Sequence, residues 1–95
     1  MQDVWRIVRD PAPLWRAWDG EIVIYNVVTG SIHRFEPLAA EVFDLLNEMP
    51  SDLDALCERV TASLGLEKSA QLNDTLRAVL RQFQGFGIVE PEQVH

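Results

Sequence analysis

From Leu14 to Phe35, apolar residues follow a strand-like rhythm. Leu14-Trp15-Arg16-Ala17-Trp18 leads to an Asp19-Gly20 turn, then to the unbroken run Ile22-Val23-Ile24-Tyr25, a Thr29-Gly30 turn, and Ser31 to Phe35. β-Branched and aromatic residues suit a pleated surface, and glycine-containing pairs suit the tight turns between strands. Three strands joined this way predict an antiparallel meander. The segment from Ile22 to Asn26 is its central strand, because both its faces are apolar while its neighbours carry Arg16, His33 and Arg34. The two outer strands keep free edges, and the charge of Arg34 discourages indiscriminate pairing there.

After Glu36 the period lengthens to that of a helix. Proline suits the first helical position, so helix one is predicted from Pro37 to about Asn47, with Leu38, Val42, Leu45 and Leu46 on one stripe and Phe43 beside it. Met49-Pro50 ends it. Ser51 is the predicted N-cap of helix two, with Asp52 and Asp54 near the positive end of its dipole and Gly65 at its close. Leu53, Leu56, Cys57, Val60 and Leu64 form its buried stripe. Helix three, roughly Ser69 to Gln84, gathers Leu72, Leu76, Val79, Phe83 and Phe86 in one sector. Arg77, Arg81 and Gln84 fall on another face, with Leu80 at the border. Gly85-Phe86-Gly87 stops the helix before a short extended tail.

The expected order is therefore β-β-β-α-α-α: an α+β fold with a three-stranded antiparallel meander followed by a three-helix bundle. It forms one domain over residues 1–95, with an N-terminal arm at 1–13, the meander at 14–36, the helices at 37–87 and a tail at 88–95. Pro11 and Pro13 make the arm irregular, and Trp5 and Ile7 pin it to the body.

Charge narrows the partners. Fifteen acidic residues against eight Lys and Arg give a net charge of −7, which repels a phosphate backbone, so nucleic acid is not an expected partner. A single cysteine cannot form an internal disulfide, and there is neither a signal-like apolar segment nor an apolar run long enough to span a bilayer. A cytoplasmic, reducing setting is the default, with no membrane partner.

No catalytic constellation emerges. His33 and His95 are the two histidines, and neither is spaced with a second ligand as a metal site requires, so no metal or other cofactor is expected. Cys57 lies on an apolar stripe between Asp54 and Glu58, a setting for a buried hydrophobe rather than a reactive thiolate. There is no nucleophile elbow and no phosphate loop. Trp5, Trp15 and Trp18 read as aromatic residues completing a small core, since no basic groove accompanies them.

The feature that remains is an edge strand beside a helix. An edge supplies backbone N–H and C=O groups to an extended peptide, and alternate side chains supply selectivity. If helix three lies along the third strand, His33, Arg34, Arg77 and Arg81 border one groove suited to an acidic or amphipathic segment. Thr75, Ala78 and Gln82 form a second flank of that helix, and the flank bearing Arg77, Leu80, Arg81 and Gln84 is preferred because it combines an apolar anchor with two cations.

Three stretches carry a resemblance to a known family: EIVIYNVVTGSIHRFEPLAAEVFDLL, SDLDALCERV and the closing GFGIVE. Together they resemble the PqqD-like peptide chaperones, a fold also found as the recognition domain of enzymes that modify ribosomal peptides. WRAWDGEIVIYN followed by TGSIHRFEPLAAEV is most similar to the subgroup found beside HPr-kinase-related proteins, the HPr-rel-A system. Where such relatives carry an Asp-Thr-His or similar sequence after the turn glycine, this chain has Ser31-Ile32-His33.

The resemblance implies a winged-helix-like, non-catalytic domain. It would bind a leader or substrate peptide as an added antiparallel strand between strand three and helix three, and present it to a peptide-modifying enzyme or an HPr-kinase-related protein. Carried over by position, the strand contribution falls on Ser31, Ile32, His33, Arg34 and Phe35 and the helix contribution on the exposed side of helix three, where the flank of Arg77, Leu80, Arg81 and Gln84 is the preferred one of the two. The domain is expected as a monomer, or as a homodimer through exchange of its arm or hairpin. The competing readings are a winged-helix DNA-binding regulator, which the acidic charge disfavours, and an accessory or regulatory subunit of an HPr-kinase-related complex.

Overall fold

The computed structural model describes residues 3–92. In chain order the elements are β1 (Val4–Ile7), β2 (Leu14–Trp18), β3 (Glu21–Tyr25), β4 (Ile32–Phe35), α1 (Pro37–Glu48), β5 (Ser51–Asp52), α2 (Leu53–Leu64), α3 (Ala70–Gly85) and β6 (Val89–Pro91). The fold is α+β, with the predicted antiparallel meander β2-β3-β4 followed by three helices.

Asp19 and Gly20 both take positive φ, 48° and 77°, which forms the two-residue turn whose twist matches the strands it joins. The register sets Ile24 between Trp15 and His33, and Ile22 between Ala17 and Phe35. Ile22, Ile24 and Phe35 are buried on the helix-covered face, as period-two alternation requires. β3 is central, as its apolar faces suggest.

The helices begin and end on short-range signals. Glu36 precedes Pro37, which occupies the first turn of α1, and Val42, Phe43, Leu45 and Leu46 face the core. The Ser69 hydroxyl accepts the Leu72 N–H at 3.0 Å and starts α3. Gly65, at φ 68°, closes α2. At the far end of α3 the Ile88 N–H donates to the Phe83 carbonyl and the Gly87 N–H to that of Gln84, a Schellman closure with Gly87 at φ 73°.

Four expectations are corrected. The N-terminal arm is not wholly irregular: β1 is the centre of a second antiparallel sheet, β5-β1-β6, pairing Trp5 with Ser51 and Pro91, and Ile7 with Val89. Ser51 is not the N-cap of α2. It is buried in β5, its hydroxyl accepts a bond from Arg59 at 2.7 Å, and the capping oxygen belongs to Asp52, which takes the Ala55 N–H at 2.8 Å. Leu80 is not at a border but in the core at 2% exposure, so the buried stripe of α3 is rotated toward it, while Leu72, Val79 and Phe86 are only partly covered. Trp15 and Trp18 do not complete the core; each keeps nearly half its surface exposed, and only Trp5 packs against it as expected.

Cys57 is buried with Leu53, Leu56 and Val60, as their stripe predicts, whereas Leu64 at the end of the same stripe is exposed. His95 lies outside the described residues. Among those described, no helix is long and apolar enough to cross a membrane.

Candidate functional site

β4 is an outer strand, paired with β3 on one side only. The Asn26 N–H donates to the Ser31 carbonyl at 2.9 Å. Because bonded and non-bonded pairs alternate along an antiparallel ladder, His33 and Phe35 also pair inward. The N–H and C=O groups of Ile32 and Arg34 therefore point away from the sheet, along the open edge. Their side chains are exposed as well, Ile32 at 67%.

The alternate residues fasten this strand to the helical layer. The His33 ring stacks on Phe86, with centroids 3.6 Å apart and planes 12° from parallel. Phe35 is buried and meets Phe83 edge-on at 4.8 Å. Arg34 extends on the outer face to the Glu21 carboxylate, with contacts of 2.7 and 2.8 Å from one guanidinium nitrogen. The Glu21 hydrogen bond, then its negative charge, raises the Arg34 pKa above its ordinary value.

The loop before β4 is tied to the same place. The Asn26 side-chain oxygen accepts the Val28 and Thr29 N–H groups, while its amide nitrogen donates to the Phe86 carbonyl at 2.8 Å. This buried asparagine couples the hairpin loop to the end of α3, at the same residue on which His33 stacks. A Cβ at Gly87 would stand 2.7 Å from the same amide nitrogen, so a glycine is needed there for space as well as for φ.

The helix residues expected to share this groove lie elsewhere. Arg77, Arg81 and Gln84, with the edge of buried Leu80, border a hollow of about 310 Å³ whose other walls are Asp3, Trp5 and Leu53. At 100° per residue, Phe86 sits about 180° around the helix from Arg77. Thr75, Val79 and Gln82 share the Phe86 side, and Thr75 and Leu38 both line a hollow of about 270 Å³. The flank on the side of the His33–Phe86 contact is thus the polar and partly apolar one. Ser31, Ile32, His33, Arg34 and Phe35 are brought together; the arginines are not brought to them. No ion pair joins Asp74 to Arg77 or Arg81, and no carboxylate pairs with either arginine among the described residues.

Asn26 and Phe86 are the residues that pattern reasoning passed over as site-builders. Asn26 stands one residue past an apolar run and before a turn, the place for a side chain that bonds its own loop. Phe86 carried no signal separating a stacking surface from a core position.

A comparison with protein families matches residues 21–89 to coenzyme PQQ synthesis protein D. Among solved structures, TbiB1 in complex with the TbiA(beta) leader peptide superposes with a TM-score of 0.76 at 18% identity, covering 94% of this chain and 99% of that one. No match is found among curated proteins. The family match spans β3, β4, all three helices and the start of β6, well over half of the chain, and the chain accordingly belongs to the PqqD family.

Proposed function

We propose that the protein is a non-catalytic peptide chaperone that takes up a leader or substrate peptide as an additional antiparallel strand along β4 and presents it to a separate modifying enzyme. The observation that carries this reading is the unpaired edge of β4, where the backbone groups of Ile32 and Arg34 point outward while His33 and Phe35 pack on Phe86 and Phe83 of the helical layer. Membership of the PqqD family and the likeness in fold to a protein solved with a leader peptide support it.

On the strand side, Ser31, Ile32, His33, Arg34 and Phe35 receive the peptide, with Phe35 acting from beneath as a support. On the helix side we assign the contact to Thr75, Val79 and Gln82 in place of the Arg77, Leu80, Arg81 and Gln84 flank, because their stripe ends at Phe86, on which His33 stacks. The strand contributes affinity through backbone bonds, and the helix flank contributes selectivity through side chains. The partner is a peptide-modifying enzyme or an HPr-kinase-related protein.

Titration of isotope-labelled protein with peptides encoded near its gene, followed by NMR, tests the proposal. Shifts concentrated at residues 31–35 and on the Thr75 side of α3 are expected. A peptide set that leaves residues 31–35 unmoved at high micromolar concentration overturns it.

A further inference from the structure

The other edge of the meander carries a different surface. Every residue of β2 is exposed, and Trp15 and Trp18 border a hollow of about 400 Å³ between the β2-β3 turn and α1. Its apolar lining includes Ile22, Pro37 and Leu64. Trp15 is held in place by edge-on packing against buried Phe43 at 5.7 Å, so one aromatic wall is preset and loses little freedom when covered. Half-exposed tryptophans at a concave apolar surface are the kind of residue that dominates binding energy at protein interfaces.

The rim fixes the sign of the occupant. Glu21, Glu41 and Asp44 line the hollow and no lysine or arginine does. Glu21 is bound to Arg34, and Glu41 accepts the Ser63 hydroxyl at 2.6 Å, whereas Asp44 is exposed and forms no ion pair among the described residues. A second copy of this chain is a poor occupant, because a twofold contact would bring the same carboxylates together.

We infer that this hollow is a second polypeptide-docking surface, which takes a segment of another protein bearing an aliphatic or aromatic side chain flanked by lysine or arginine. The side chain fills the space between Trp15, Trp18 and Leu64, and the cations meet Asp44 and Glu41. β2 and β4 lie on opposite sides of β3, so both edges can be occupied at once. The inference does not depend on what β4 binds.

Two synthetic amphipathic peptides with the same leucine pattern test it, one with a lysine face and one with a glutamate face. The lysine peptide is expected to shift the indole NMR signals of Trp15 and Trp18, and the glutamate peptide to leave them in place. Asp44→Lys should weaken the lysine peptide by about fivefold or more, and Trp18→Ala should abolish the response, with circular dichroism unchanged. If Trp18→Ala does not fold, Asp44→Lys alone decides. Ile32→Pro, altered on the far edge, should bind the lysine peptide as the original chain does. Equal responses to both peptides, silent indole signals, unchanged affinity in Asp44→Lys, or loss of binding in Ile32→Pro would each overturn the inference.

Discussion

The ring of His33 lies flat on that of Phe86, 3.6 Å centroid to centroid, and this contact joins the open strand to the last turn of α3. Phe86 is partly covered, and its carbonyl holds the Asn26 amide. Phe86→Ala should therefore cost about 2 kcal/mol of stability, below the usual loss for a fully buried phenylalanine. Urea unfolding measures it. The same variant should broaden the NMR signals of residues 31–35 through loss of the stacking partner.

Ile32→Pro removes one outward N–H from the β4 edge without touching a bond to β3. Proline is tolerated on an edge strand when its missing donor faces solvent. Stability should change little, while affinity for a strand-adding peptide falls by up to about tenfold, the worth of one backbone hydrogen bond. Isothermal titration with a bound peptide would show it, and unaltered affinity would place the peptide off this edge.

The two flanks of α3 make opposite predictions. The double variant Arg77→Glu/Arg81→Glu should leave peptide affinity within about twofold, because both side chains are turned from β4. Gln82→Lys or Thr75→Arg, on the β4 side, should alter affinity or selectivity among peptides. A large loss in the arginine variant with none in the others would return the helix contribution to the arginine hollow.

Gly87→Ala and Gly65→Ala form a controlled pair. Both glycines take left-handed φ, but Gly65 has open space where a Cβ would stand, and Gly87 has the Asn26 amide at 2.7 Å. Gly65→Ala should cost about 1 kcal/mol from backbone conformation alone. Gly87→Ala should cost more, about 2–3 kcal/mol, because it also displaces a buried hydrogen bond. Thermal melts of the two variants compare them directly.

Arg59 joins four acceptors: the carbonyls of Leu45 and Met49, the Ser51 hydroxyl and the Glu48 carboxylate. It thereby supplies a partner to the Met49 carbonyl at the end of α1 and a second donor to the Leu45 carbonyl, which already accepts the Met49 N–H. Arg59→Ala should destabilise by about 2 kcal/mol, and Arg59→Lys should recover only part, since an ammonium cannot span the same set. Chemical denaturation checks both.

The local signals in the chain were readable, and the distant ones were not. Asp19-Gly20, Pro37, Gly65 and Ser69 mark turns and helix ends through bonds to near neighbours, so their identities suffice. β1 escapes notice because its partners lie at residues 51–52 and 89–91, and nothing in Val4-Trp5-Arg6-Ile7 names them. Helical period finds the stripe of α3 but not its rotation, which is why Leu80 moves inward and the arginine flank turns toward Trp5. Residue type does not separate a core tryptophan from an exposed one, and Trp15 and Trp18 are decided by the edge position of β2. Ser51 has the type of a cap, but pairing with Trp5 draws it into a sheet and leaves the capping to Asp52.

The second sheet also governs how this unit can be joined to others. The Glu92 N–H donates to the Val4 carbonyl at 2.6 Å, so the two margins of the described chain leave side by side from one border of β1 and β6. Such a body can be spliced into a surface loop of a host, or circularly permuted by a short bridge, with little strain on either side. The edge of β4 belongs to the other sheet, so grafting at that border leaves it open to solvent.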